Sequence, residues 1–529
     1  MRSPAELSFR FRQEAANLFY FLRPPQWKGG EPARLSLPPL PAARLPFAVE
    51  PAPVRWRRDP QSGVESPLSY FRLIPYLDAS RAGDHKAIWD RNRHQELPLL
   101  AAQSNHSLVQ SLLTDWMTDN PVHRGMNWTS ALEVAFRALS WLYLWHTPGF
   151  PPPPRFLDFL FAHGTHLRHN LSVYFSPNTH LLGEAVALHA LGLFFRQEDW
   201  RSRGREIVFD CLRDQVFPDG AYFEQSSYYH VYALDFFLLH HALEALPESV
   251  RPAVDKMALY LNALMGEARL LPFLGDDDGG RLYHPFDEAE RFGLHTLAQW
   301  PAPGPPPDAF PDAGIYFLSN SETQILFDAG AFARGSAGHS HSDTLQVLVR
   351  VAGEEVLIDP GTYTYVGDAS QRQLFRGAAM HNTIRCDEQD QAIPAGPFRW
   401  LHTPQVRTLS FRPPEAVAEY RTRSGFLHRR LVRWRSTEQL LDIEDSLDGP
   451  PGEHRIEQFW HFGSESALGR LHCEDQPGFS LRPRPEFSFR SRRFGQREHA
   501  PALCFEGQAK FPLKLCTRLN LAPGAKIPS

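Results

Sequence analysis

The sequence predicts an α+β chain of several domains, with a helical N-terminal half followed by an antiparallel β-sandwich. Three observations carry this. Apolar residues recur at helical spacing from about Leu77 to Leu297. The stretch Trp300-Pro301-Ala302-Pro303-Gly304-Pro305-Pro306-Pro307 then breaks the pattern, because proline at that density stops a helix and stiffens a linker. Beyond Gly314 the signal changes to short apolar runs separated by turn residues, the mark of an antiparallel sandwich. At 529 residues the chain is too long for one small core, so two domains or more are expected.

Residues 1–76 open with a helix near Pro4 to Phe21. A proline-rich stretch from Pro24 to about Pro60 follows, where fixed φ and missing N–H donors discourage regular elements. Trp27, Phe47 and Trp56 offer anchors for packing it, extended, over the main body. Residues 77–299 form the helical domain. Leu132, Ala135, Phe136 and Leu139 share one helical face, and Leu181–Phe195, Val231–Leu246 and Ala253–Leu264 read the same way. Such helices must bury their apolar faces on one another, as a ring or as a bundle. Residues 300–313 are the linker. The sandwich, 314–529, is expected to place strands at Gly314–Leu318, Thr323–Phe327, Leu345–Val351, Arg430–Trp434, Gln439–Glu444 and Arg455–Phe462.

Composition narrows the class. Hydrophobic residues at 42% and charged residues at 22% are ordinary for a globular protein and exclude a disordered chain. A net charge of −5 supplies no general field for nucleic acid, so any grip on an acidic polymer must be local. The five cysteines, Cys211, Cys386, Cys473, Cys504 and Cys516, are scattered and suggest no disulfide framework. No run of about 18 apolar residues marks a membrane span. The first residues lack the apolar core of a signal peptide, so a cytoplasmic location is expected, with the periplasm as the alternative.

The chemistry centres on Gly338 to Asn382. Leu345, Val347, Val349 and Val351 alternate as in a half-buried strand, Gly353 turns the chain, and Val356-Leu357-Ile358 returns. His341 would start one strand and Asp359 would end its neighbour, with His381 joining from one further strand or loop. Two imidazoles and a carboxylate make a zinc-type donor set with a fourth position open. His339 and His341, two apart in a strand, would share a face, so one could ligate metal while the other faces substrate. The plainer alternative is ordinary hydrogen bonding of the histidines, with Asp359-Pro360-Gly361 as a turn.

Gly338-His339-Ser340-His341-Ser342-Asp343, Ile358-Asp359-Pro360-Gly361 and Arg376 followed by His381-Asn382-Thr383 resemble the heparinase II/III family of polysaccharide lyases. Upstream, Asp84-His85-Lys86 with Trp89, Asn92 and Arg93 resembles its helical domain. So do Gly125-Met126-Asn127-Trp128 with Glu133 and Arg137, Asn178-Thr179-His180 with Glu184, and Glu224 to His230. The resemblance implies an incomplete (α/α) toroid followed by a β-sandwich, and β-elimination on an acidic, uronate-containing polysaccharide. A base removes the C5 proton, an acid protonates the departing O4, and donors neutralise the uronate carboxylate.

On that resemblance Tyr229 is the general acid and, in syn elimination, also the base. His339 is the second base or an orienting group. Asn178 and His180 hold the carboxylate, at a helix start that itself favours anions. His341, Asp359 and His381 bind a structural zinc, and Asn127, Glu184, Glu224, Arg91 and Arg376 are the candidate substrate contacts. Each has a plainer reading. Tyr229 could simply pack among Tyr222, Tyr228 and Tyr232. Asn178 could cap its helix. Glu133 and Glu184 could be helix-surface charges, the first with Arg137 at i,i+4, and Arg91 and Arg376 could sit in structural ion pairs. Asp276-Asp277-Asp278-Gly279-Gly280 lacks the ligand spacing of an EF-hand and reads as a connecting loop. Two other functions stay open. One is a glycoside hydrolase using Glu184 and Glu224, and the other is a non-catalytic polysaccharide-binding protein of an exopolysaccharide pathway.

Overall fold

The computed structural model describes residues 3–40, 45, 47–283 and 293–522. The chain divides into two compact units, neither continuous in sequence. The first comprises Met1–Gln215, Tyr232–Arg251 and Gly280–Asp287. The second comprises Val216–Val231, Pro252–Gly279 and Glu288–Ser529. Two segments with helical periodicity therefore belong to the unit that carries the sheets.

The first unit is built from helices. Pro4–Leu22 starts with Ser3 accepting from the Glu6 N–H and proline at its first position. Among the described residues no helix or strand lies between it and Phe71, as the proline density anticipates. His106–Asp119, Ala131–His146, Phe156–Asn170, Thr179–Phe195 and Glu198–Gln215 follow. Ala131–His146 is buried on nearly all sides, and Thr179–Phe195 is capped by Asn178. Gly204 lets two of these helices touch: a Cβ there would lie 2.5 Å from the Ala185 carbonyl oxygen. The polar residues inside are paired. Arg93 makes a two-pronged ion pair with Glu133 at 2.7 and 2.8 Å, and Arg137 donates to His163 and to the Asn92 and Asn127 carbonyls. Glu133 and Glu184 are buried, so the surface-charge reading fails for both, and Glu133 pairs with Arg93 rather than Arg137.

The second unit carries three principal sheets. The first is an antiparallel meander in sequence order, Ala309–Phe310, Ile315–Phe317, Thr323–Asp328, Val347–Val351 and Glu354–Leu357. It begins inside the expected linker. The second has six strands, in the order Leu471–Cys473, Leu513–Asn520, Leu440–Asp448, Leu427–Arg435, Glu415–Arg421 and Gln405–Arg412. The third has four: Ser480–Pro483, Ala502–Ala509, His454–His461 and Ile384–Cys386. One apolar core, including Phe327, Val349, Ile384, Val432, Ile443 and Trp460, is shared by all three sheets.

Two strand expectations need correction. Val347–Val351 is buried on both faces, not half-buried. Leu345 stands before that strand with φ of 67°, so the apparent alternation runs one step too far. His341 therefore lies in the loop leading into the strand.

In the six-stranded sheet, alternate residues of Leu427–Arg435 point inward, including His428 and Arg430. Both bond to the buried Asp445, Arg430 through two nitrogens at 2.7 and 2.9 Å. The same guanidinium donates to the Leu345 and Asn382 carbonyls at 2.7 and 2.6 Å. Asn382 in turn donates to the Val347 and Ile358 carbonyls and accepts from the His461 N–H. The sandwich interior thus holds the loops that carry His341, Asp359 and His381.

Candidate active site

Tyr229 is the third residue of the helix Ser227–Leu243. Its N–H donates to the Ser226 hydroxyl at 3.1 Å, an N-cap that fixes the first turn. Its ring stacks on His339, with centroids 3.9 Å apart and planes 25° from parallel. Its hydroxyl lies 3.2 Å from that of Tyr365. Burial, followed by the nearby charge of Asp278, holds the Tyr229 phenol well above its ordinary pKa. The phenol is therefore held in its neutral form.

Tyr365 is packed by Phe398 and Phe494, with ring centroids at 4.9 and 5.1 Å, and by the Arg372 guanidinium over its face. His339 Nδ1 lies 3.0 Å from Asp276 Oδ2, and Nε2 lies 3.5 Å from Glu224. Burial disfavours the charged ring, but the Asp276 hydrogen bond and the Glu224 charge outweigh it and raise the His339 pKa. For Asp276 burial acts upward, and the Arg372 charge and the two histidine hydrogen bonds hold the carboxyl well below its usual range.

His341, Asp359 and His381 are fully buried and each brings a ligand atom within 4.8 Å of the others. His381 Nδ1 donates to Asp359 at 2.9 Å, and His341 Nε2 donates to Asp276 at 2.9 Å. The remaining nitrogens, His341 Nδ1 and His381 Nε2, are buried without hydrogen-bond partners. Carboxyls crowd the same place. Burial and the charge of Asp328 raise Asp343 far above its usual value, and burial pushes Asp328 up to about 6. Two unsatisfied imidazole nitrogens among crowded carboxyls suit a divalent cation, and the donor set suits zinc.

The other expected residues are placed as follows. Glu224 is buried beside His339. Arg376 is also buried, stacked on Trp400 and donating to Gln373 and to the Gly396 and Pro397 carbonyls. It secures the loop that carries Phe398 and presents no donor to a substrate. In the first unit, Asn178 Oδ1 accepts from the His180 N–H at 3.1 Å, so the capping role is real, and His180 is half-buried. Asn127 is fully buried and donates to Asn92 and Asn120, which makes it structural. Glu184 accepts from the Ser172 N–H and hydroxyl, and burial pushes its pKa up to about 8. Arg91 pairs at the surface with Glu50.

Sequence reasoning missed Asp276, Tyr365 and Arg372. Asp276 sits in the stretch read as a connecting loop, and nothing local distinguishes it from Asp277. Arg372 lies one helical turn before Arg376 and both are buried, so facing inward does not single it out.

Comparison with known proteins adds the following. Residues 105–278 match the heparinase II/III N-terminus family, and residues 302–504 match the heparinase II/III-like C-terminal family. A heparin-sulfate lyase of Bacteroides stercoris is 25% identical over 276 residues, covering 46% of this chain and 40% of that protein. One from Pedobacter heparinus is 24% identical over 338 residues, covering 57% of this chain and 51% of that protein. The chain thus spans about half the length of these curated relatives. A crystal structure of heparinase III shares the fold of helical toroid and β-sandwich. Its TM-score is 0.65 at 16% identity, over 82% of this chain and 77% of that one.

Proposed function

The chain belongs to the heparinase II/III family, and from that premise we propose that it cleaves a uronic-acid-containing polysaccharide by β-elimination. The observation that carries the proposal is the buried Tyr229–His339 stack with Tyr365 and Asp276 around it. A neutral phenol stacked on an imidazole held between Asp276 and Glu224 sets two proton-exchanging groups side by side, as proton abstraction at C5 and protonation at O4 require. In this reading Tyr229 protonates the leaving O4, and His339 receives the C5 proton or directs Tyr229 to it.

The names of the curated relatives make heparan sulfate the first substrate to try, before alginate, hyaluronan and bacterial exopolysaccharides. We also propose that His341, Asp359 and His381 hold a zinc ion. When bound, it would act structurally, fixing the loop that presents His339. His341 orients its ring through Asp276, which leaves its Nδ1 for the ion.

The hydrolase alternative loses support because Glu184 is committed to Ser172. The test is incubation with a panel of uronate polymers, read by ultraviolet absorbance and by end-group analysis. An unsaturated, absorbing end is expected. Reducing ends without absorbance would favour hydrolysis, and no product from any polymer would favour a binding protein.

A further inference from the structure

Asp276 has more donors aimed at it than its place in a loop explains. The carboxylate is fully buried. Oδ2 accepts from His339 Nδ1 at 3.0 Å and from Arg372 Nη2 at 2.8 Å. Oδ1 accepts from His341 Nε2 at 2.9 Å, from the Thr362 hydroxyl at 3.3 Å and from Arg372 Nη1. Its backbone is tied to the same groups. The Asp276 N–H donates to the His339 carbonyl at 2.9 Å. Its own carbonyl accepts from the Ser226 hydroxyl at 2.7 Å, the group that also caps Tyr229. Gly275 makes this approach possible. It has φ of 61°, and a Cβ would lie 2.6 Å from the His339 carbonyl oxygen and 3.0 Å from that of Gln225.

We propose that Asp276 is the positioning residue of the site, one carboxylate that sets the tautomer of both His339 and His341. The inference rests on the lyase reading for His339 but not for His341. An imidazole facing a carboxylate oxygen must present N–H, because a lone pair there would repel it. Asp276 therefore places a proton on His339 Nδ1, which leaves Nε2, 3.5 Å from Glu224, as the nitrogen that exchanges one. On His341 it places the proton on Nε2 and leaves Nδ1, the nitrogen without a partner, for a metal ion. A carboxylate behind a metal-binding histidine orients the ring and raises its basicity. Here the same carboxylate also orients a histidine assigned to the chemistry, so the metal site and the reacting group share one support.

The plainer role would be counter-ion to buried Arg372, and the experiment separates the two. Three proteins are compared: wild type, Asp276→Asn, and the double variant Asp276→Asn/Arg372→Gln, which removes both buried charges. Positioning predicts that Asp276→Asn lowers kcat at least about 10²-fold, the scale of lost acid–base catalysis, with KM changed little. Zinc affinity should fall about 10–100-fold. Both losses should persist in the double variant even where its thermal stability recovers. A double variant that regains kcat and zinc affinity would reduce Asp276 to a counter-ion and overturn the proposal.

Two measurements need only the wild type, and so survive a variant that does not fold. Nitrogen-15 spectra of the histidine rings should show His339 protonated at Nδ1, and a zinc-loaded crystal structure should show the ion on His341 Nδ1. Zinc on His341 Nε2, or His339 protonated at Nε2 alone, would overturn it. Should no polymer be cleaved by the wild type, the lyase reading fails by itself, while zinc affinity and the ring spectra still decide for or against Asp276.

Discussion

Tyr229→Phe is the sharpest test of the chemistry, because the structure separates what the hydroxyl does from what the ring does. The ring lies 3.9 Å from His339 and is retained in phenylalanine. The hydroxyl lies 3.2 Å from that of Tyr365. Losing a hydrogen bond between neutral groups costs about 0.5–1.5 kcal/mol, and a buried hydroxyl left without this partner brings the upper bound to about 3 kcal/mol. For a unit of this size each kcal/mol lowers Tm by about 2–4 °C, so the variant should stay folded. General acid catalysis is worth about 10²–10⁴-fold, equivalent to about 2.7–5.4 kcal/mol of barrier at 1.36 kcal/mol per tenfold. The expected result is a kcat lower by at least about 10²-fold with KM nearly unchanged, since the group acts in the transition state. The assay is the rate of ultraviolet-absorbing product on a polymer that the wild type cleaves, with thermal unfolding run in parallel. A near-normal rate would remove Tyr229 from the proton transfers and leave His339 to carry them. A large fall in Tm together with a raised KM would make the hydroxyl a packing element.

Two further predictions concern the support of the site. Chelation, or His381→Ala, should lower thermal stability and activity together, since a ligand held at about 1,000 times its Kd stabilises by about 4 kcal/mol. Protein purified without chelator that carries no zinc, or that melts unchanged after chelation, would count against the metal site. Asp445→Asn should destabilise by about 3–5 kcal/mol at neutral pH, because it strands the buried Arg430. Burial alone would raise the Asp445 pKa, but Arg430 and His428 hold it far below the usual range. The native carboxylate therefore stabilises the fold above the unfolded value of about 3.9, and that contribution drains away as pH falls below it toward the native pKa. The gap between wild type and variant in denaturant unfolding should narrow from pH 5 downward, and a gap independent of pH would refute the ion-pair account.

How much of this was legible in the sequence depended on the distance over which each feature is encoded. Helices such as Ala131–His146 and strands such as Leu427–Arg435 were visible because burial repeats along a single element. Leu345 was misread for the same reason: its apolar side chain continues the alternation of Val347 to Val351, while its left-handed backbone, which no periodicity reports, ends it. His341, Asp359 and His381 could be proposed together because one hairpin and one loop carry them. Asp276 could not. Its side-chain partners His339, His341 and Arg372 lie 63, 65 and 96 residues away, and it has an aspartate on its C-terminal side.

The division into units teaches the same lesson. Val216–Val231 and Pro252–Gly279 read as part of a helical domain, yet they pack with the sheets and bring Tyr229 and Asp276 to His339. Periodicity states that a segment has an apolar face but not which surface will cover it. Which of three consecutive aspartates carries the histidines is then decided by the backbone. Gly275 admits the close approach of the His339 and Gln225 carbonyls, and the residue that follows it is the one turned into the core. Gly275→Ala, which changes no polar group, should therefore disturb the same two histidines as Asp276→Asn.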